Sequence, residues 1–150
     1  MKKFVFSMQK ILDLRNFELD QAEAELGKVN AEIARVNNGL KEIAYEHVKY
    51  SHYADESRDF SIHSQTQAYF VLLDQKKEAY LAELAQLEAI AEEKRAIVRE
   101  CMQKVKVLDK LKEKKLQAWK DENQKKEEMS TDDVVTAQSY RKAQSEQAVG

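Results

Sequence analysis

Apolar residues return along the first third of the chain every three to four positions. With Val5 placed at heptad position a and Met8 at d, the a positions continue through Leu12, Leu19, Leu26, Ile33, Leu40 and His47. The d positions continue through Arg15, Ala22, Val29, Val36, Ile43 and Tyr50. Only Arg15 and His47 among these 14 sites are neither apolar nor aromatic. A seven-residue repeat sustained over this length keeps one stripe of a slightly under-wound helix turned toward a partner, the signature of a coiled-coil seam. Gly27 and Gly39 fall at b and g, off the seam, where each costs about 1 kcal/mol of helix propensity.

The repeat fails over residues 54–64, which are polar and short-chained. Ser64-Gln65-Thr66-Gln67 then has the form of a capping box, in which the serine hydroxyl accepts from the third residue's N–H and that residue's side chain reaches back. The spacing predicts a first helix over about 5–54, a loop over about 55–63 and a second helix over about 64–127, with Ser61 as a competing cap. The second helix carries its own seam. Phe70, Lys77, Leu84, Ala91, Val98, Val105 and Lys112 form one row, and Leu73, Tyr80, Leu87, Lys94, Cys101 and Leu108 the other. Ile90, Ile97 and Leu111 lie beside it and widen the apolar stripe, enough to serve a third helix or a partner.

A short loop makes its two helices antiparallel neighbours. With the turn centred on Phe60, facing residues have numbers that sum to 120, and seam meets seam: Leu12 with Leu108, Leu19 with Cys101, Val36 with Leu84, Tyr50 with Phe70. The layers Arg15–Val105, Leu26–Lys94 and Ile43–Lys77 require the basic side chains to lie along the seam with their heads in water. A slip of one heptad would keep the periodicity. Helices of about 55 residues would be roughly 80 Å long. The expected fold class is therefore all-α, a long two-helix antiparallel coiled-coil hairpin over 1–129, with a short C-terminal helix and flexible tail over 130–150. Ser130-Thr131-Asp132-Asp133 reads as the N-cap cluster of that last helix. Val134, Ala137 and Tyr140 supply a weak stripe, and the final residues are expected to fray.

Composition narrows the alternatives. The chain of 150 residues has no proline and three glycines, one of them terminal. Sandwiches and barrels need turn residues every few positions, and doubly wound folds need glycine-rich strand–helix turns. Charged residues make up 35% but nearly cancel, to a net −2, and apolar residues make up 43%; that balance argues against disorder. The single cysteine, Cys101, excludes an intrachain disulfide framework. The start, Met1-Lys2-Lys3-Phe4-Val5-Phe6, opens like a signal peptide but turns polar at Ser7, and no apolar run is long enough to span a membrane. The protein is expected to be cytoplasmic, without membrane insertion.

No catalytic constellation is visible. A phosphate-cradling glycine loop is missing, and His47, His52 and His63 lack the i, i+4 partner that a zinc site uses. Cys101, opposite Leu19, reads as a small buried hydrophobe. Neither enzymatic activity nor a cofactor is expected. Charge is unevenly spread: residues 104–126 carry nine lysines and four acids, and residues 18–32 five acids and one lysine. This pattern fits either a solvated face laced with interhelical ion pairs or a basic docking end at the open tip of the hairpin. Nucleic acid is a poor partner, because the pI is about 6.0 and the basic stretch lacks interleaved aromatics. Aromatic residues gather toward the two ends: Phe4, Phe6 and Trp119 at the open end, and Tyr45, Tyr50, Tyr53, Phe60, Tyr69, Phe70 and Tyr80 toward the loop. Hairpin closure accounts for part of this. Tyr45, Tyr53 and Tyr69 are off the seam, and exposed aromatics make good partner anchors.

The opening Phe4-Val5-Phe6-Ser7-Met8-Gln9-Lys10-Ile11-Leu12-Asp13-Leu14-Arg15 resembles the start of FliJ proteins, which open with F-x-F-x-L-Q-x-V-L followed by an acidic residue and an arginine. Leu108-Asp109-Lys110-Leu111-Lys112-Glu113-Lys114-Lys115 is similar to the L-E-x-L-x-E-basic-basic run of their second helix. The tail departs from the family pattern at Asp132-Asp133-Val134-Val135. The resemblance implies a general chaperone and stalk component of bacterial flagellar type III protein export. It implies an antiparallel coiled coil that binds the hexameric export ATPase FliI and contacts the cytoplasmic domain of the export gate protein FlhA, peripherally at the inner membrane. Other export chaperones are further implied partners. Phe4, Phe6, Arg15, Lys112, Lys114, Lys115 and Trp119 are then candidates for the ATPase contact. Ile43, Tyr50, Tyr69 and Leu73 fall where the family places its gate contact, although Lys76 stands where a small residue is usual. A structural tethering or dimerising coiled coil, and the analogous stalk of a virulence-type secretion system, remain alternatives.

Overall fold

The computed structural model describes residues 2–149, with side chains to residue 148. It consists of two helices, α1 (Gln9–Glu56) and α2 (Phe60–Val149), and no strand among the described residues. The molecule is all-α, with the two helices packed against each other as an antiparallel hairpin. The seams explain why. Of the twelve seam sites on α1 from Leu12 to Tyr50, only His47 is exposed, and of the thirteen on α2 only Lys77 is. A large apolar side chain fully withdrawn from water along such a stripe contributes about 1.5–3 kcal/mol and a half-buried one less, and summed over the seam this offsets the marginal stability of helices in isolation.

The helix boundaries differ from those the sequence suggests, and each difference has a local cause. α1 begins at Gln9, where the N–H of Gln9 donates to the carbonyl of Phe6 (3.1 Å) and that of Leu12 to Met8 (3.0 Å). Residues 2–8 before it are not helical. A helix continued back through Val5 would turn that valine to the seam. The irregular lead-in instead buries the larger ring of Phe6, 6% exposed, and leaves Val5 81% exposed. An aromatic ring removes more apolar surface from water than a valine does, so the heptad assignment fails at its first position.

The link is only Ser57, Arg58 and Asp59. Asp59 caps α2: its Oδ1 accepts from the N–H of Ser61 (2.9 Å), and its carbonyl accepts from His63 (3.3 Å). Ser57 Oγ accepts from the N–H of Asp59 (3.2 Å), and the Ser57 carbonyl meets His63 Nε2 at 3.0 Å. The carboxylate therefore satisfies a free N–H and sits at the positive end of the helix dipole. Neither Ser64 nor Ser61 is the cap. α2 has already formed there, and Thr66 turns its hydroxyl back onto the Ile62 carbonyl (2.8 Å).

α2 also runs on through Ser130-Thr131-Asp132-Asp133 without a break. Thr131 Oγ1 donates backward to the Glu127 carbonyl (2.9 Å) rather than accepting a forward N–H, so the expected cap is not made. Nothing in this stretch is a helix breaker, and i, i+4 pairs such as Gln124–Glu128 (3.3 Å), Lys126–Glu122 (3.6 Å) and Gln144–Tyr140 (3.0 Å) support it. Every side chain over residues 124–148 is exposed.

The tertiary contacts fall into two units, Met1–Leu14 with Lys104–Gly150, and Arg15–Gln103. In the second unit the antiparallel register is visible in four cross-helix pairs. Arg35 donates to Glu83, the Tyr80 ring lies over Gly39, His47 stacks on Phe70, and Tyr50 meets Tyr69 edge-on. Their numbers sum to between 117 and 119. This lies within one helical turn of the predicted 120 and away from the 113 or 127 that a heptad slip would give. In the first unit Lys112 Nζ donates to Gln9 Oε1 (2.8 Å).

Candidate functional site

Two surfaces stand out, one in each unit. In the first, the lead-in segment folds onto α2 and places the rings of Phe4 and Trp119 6.0 Å apart at 59°. Phe4, Val5, Phe6 and Ser7 face Lys115, Ala118, Trp119 and Glu122 across a hollow of about 290 Å³. Among the residues expected to meet the ATPase, Phe4, Phe6, Lys115 and Trp119 are thus brought together. Phe6 is buried and forms the inner wall, and Lys114 is exposed. Lys112 is engaged by Gln9 and half-buried. Arg15 belongs to the other unit and pairs along its own helix with Glu18 (3.0 Å). Val5, Ala118 and Glu122 were not singled out by the sequence, because their place in the hollow depends on the non-helical course of the lead-in.

The second surface adjoins the link. Tyr50, Tyr53, Ile62, Gln65, Thr66 and Tyr69 line a cleft of about 250 Å³. Tyr50 and Tyr69 meet edge to face, with centroids 5.0 Å apart. The Tyr69 hydroxyl donates to the Glu46 carboxylate across the helix pair. That hydrogen bond, then burial and the negative charge of Glu46, push the Tyr69 phenol up to about 12. Its ring is therefore held by a charge-assisted contact at one end and by Tyr50 at the side. Ile62, Gln65 and Thr66 carry no sequence signal of this place, because the polar stretch predicts a loop up to about residue 63 and a cap just after it.

The other two residues expected at the gate contact behave differently. Leu73 is 2% exposed and Ile43 9%, so both fill the hairpin interior. Ile43 also reaches the wall of a neighbouring groove of about 490 Å³, with Leu40, Ala44, His47, Val48, Asp74, Lys77 and Leu81. On that side His47 stacks flat on Phe70, at 4.1 Å and 14°. The seam assignment placed His47 inward; the structure keeps the ring packed on one face and exposed overall.

Among the described residues no cluster of three His, Cys, Asp or Glu is placed to hold a metal, and no helix is long and apolar enough to cross a membrane. Both surfaces are small hollows rimmed by aromatic side chains, joined by charged ones, Lys115 and Glu122, only in the first, a form suited to holding side chains of another protein. These features define the class: an all-α hairpin protein with a separate surface hollow in each of its two units. Over residues 4–145 the chain matches the family described as flagellar FliJ protein, and it belongs to that family. Its members are non-enzymatic components of flagellar protein export. No curated protein and no solved structure matches it.

Proposed function

We propose that this protein is the stalk and general chaperone component of the flagellar export apparatus, binding the hexameric export ATPase FliI through its first unit and the export gate protein FlhA through its second. The observation that carries this reading is the pairing of family membership with two chemically different surfaces. One is an aromatic hollow in a lysine-rich setting, the other a tyrosine cleft beside the link. A protein that couples two partners needs two surfaces that can be occupied together, and it can bias an ATPase only through different affinities for that enzyme's states. Arg15 and Lys112, each held by a neighbour within its own unit, contribute to this function by positioning. Leu73 supports the tyrosine cleft from within. Peripheral association with the inner membrane follows in this reading from attachment to the gate.

The test is direct. Purified protein is expected to raise the ATPase activity of its cognate export ATPase and to comigrate with the assembled ring. Neither stimulation nor comigration would leave a tethering coiled coil as the better reading. In a pull-down from the source cell the export gate should accompany the ATPase.

A further inference from the structure

The hollow between the lead-in and α2 has a chemistry of its own. Its walls are the rings of Phe4, Phe6 and Trp119, and Val5 stands at its rim 81% exposed. Its volume of about 290 Å³ lies at the small end of the range of ligand cavities, a size suited to one or two aliphatic side chains. Around it the charge is one-sided. Residues 2–14 and 104–123 together hold ten lysines against five carboxylates, in a chain whose net charge is −2. Lys2, Lys3, Lys114 and Lys115 are exposed and make no ion pair among the described residues. The one carboxylate in the lining, Glu122, is turned to Lys126 at 3.6 Å.

We propose that this hollow is an anchoring pocket for an apolar side chain carried on an acidic segment of a partner protein. The inference deepens the reading of this surface as the ATPase-facing one and rests on it for the claim that the occupant is a protein. An apolar anchor supplies the short-range energy by covering the Phe4 and Trp119 rings. The flanking carboxylates are drawn by the unpaired lysines, which should raise the association rate and make binding fall with salt. A basic or neutral segment carrying the same anchor would lose that attraction, and an acidic segment with a polar residue in place of the anchor would leave the hollow unfilled.

Trp119 is the single tryptophan of the chain, so its emission reports on this pocket alone. The full chain is titrated with three peptides: two leucines flanked by Asp and Glu, two serines in the same flanks, and two leucines flanked by lysines. The first is expected to shift Trp119 emission saturably, with affinity falling several-fold from low to physiological salt. Lys115→Glu is expected to weaken it about ten-fold, and the other two peptides to give no saturable change. A flat titration with the acidic leucine peptide, an equal response to the basic one, or a response only to vesicles of anionic phospholipid would overturn the proposal. Measuring stimulation of the export ATPase in parallel separates the two readings. Stimulation without peptide binding sinks the pocket and spares the ATPase contact; a peptide-binding chain that neither stimulates nor comigrates with the ring sinks the ATPase contact and spares the pocket.

Discussion

A Cβ added at Gly27 meets nothing within 4 Å, whereas one added at Gly39 lies 2.7 Å from Cζ of Tyr80. The two glycines carry the same intrinsic penalty in a helix, yet only Gly39 returns something for it: room for a tyrosine ring to cross α1. Gly27→Ala is therefore expected to stabilise the protein by about 0.5–1 kcal/mol in chemical denaturation. Gly39→Ala must displace the end of the Tyr80 ring, so it is expected to fall short of the gain at Gly27, and adding Tyr80→Leu should restore that gain, a coupling that a double-mutant cycle measures. From heptad position alone the two are indistinguishable, because g and b are both off the seam and the length of the facing side chain decides the outcome. A second residue-scale expectation concerns Tyr69. Its phenol is held protonated by the Glu46 carboxylate, with a pKa of about 12 against about 10 in the unfolded chain. The folded state binds this proton more tightly, so the contribution is fully present below pH 10 and is lost as pH rises through about 12. Tyr69 is expected to give a late ionisation step in an absorbance titration, and Tyr69→Phe should remove that step.

At the scale of elements, the seams of α1 and α2 were legible because burial repeats every seven residues, and repetition averages out single exceptions such as His47 and Lys77. The antiparallel register followed from seam-on-seam pairing. What the pattern does not carry is where a helix starts, since a boundary is decided by one or two hydrogen bonds and several nearby residues compete for them. Ser64, Ser61 and Asp59 all have capping side chains, and Asp59 prevails because Ser57 holds its N–H while its carboxylate meets the dipole. Asp59→Ala is expected to cost about 0.5–2 kcal/mol, and Ser64→Ala less than about 0.5 kcal/mol, as befits an exposed position inside a helix; equal effects in urea unfolding would mean that α2 starts later. Residues 124–148 are the converse case. The stretch reads as cap, short helix and tail, yet α2 continues with every side chain exposed. With no tertiary partner to hold it, this part of α2 rests on propensity and i, i+4 pairs alone, which are marginal in water. Amide hydrogen exchange over 124–148 is expected to be faster by orders of magnitude than at the buried layers of Val36 and Leu73.

For the whole molecule, the proposed function raises the question of how one chain would serve two partners without one contact undoing the other. The candidate residues divide into those that form a surface and those that only support it, and sequence reasoning could not separate them. Tyr50 and Leu73 both lie on seams, but Tyr50 opens onto the cleft while Leu73 is 2% exposed. Phe6 and Lys115 likewise belong to one hollow, as its inner wall and its charged rim. Substitutions should therefore fall into three groups. Lys114→Glu with Lys115→Glu touches exposed side chains, so thermal unfolding should stay unchanged while ATPase stimulation falls about ten-fold or more and gate binding is retained. Tyr53→Ala, exposed and lining the cleft, should weaken gate binding and spare ATPase stimulation. Leu73→Ala removes a fully packed side chain at a cost of about 2–5 kcal/mol, so it should lower unfolding stability first and reduce both contacts together as the folded fraction drops. A Leu73→Ala protein that keeps wild-type stability but loses only the gate would show that this leucine is itself a contact, and the division into surface and support would have to be redrawn around the groove of Ile43 and His47.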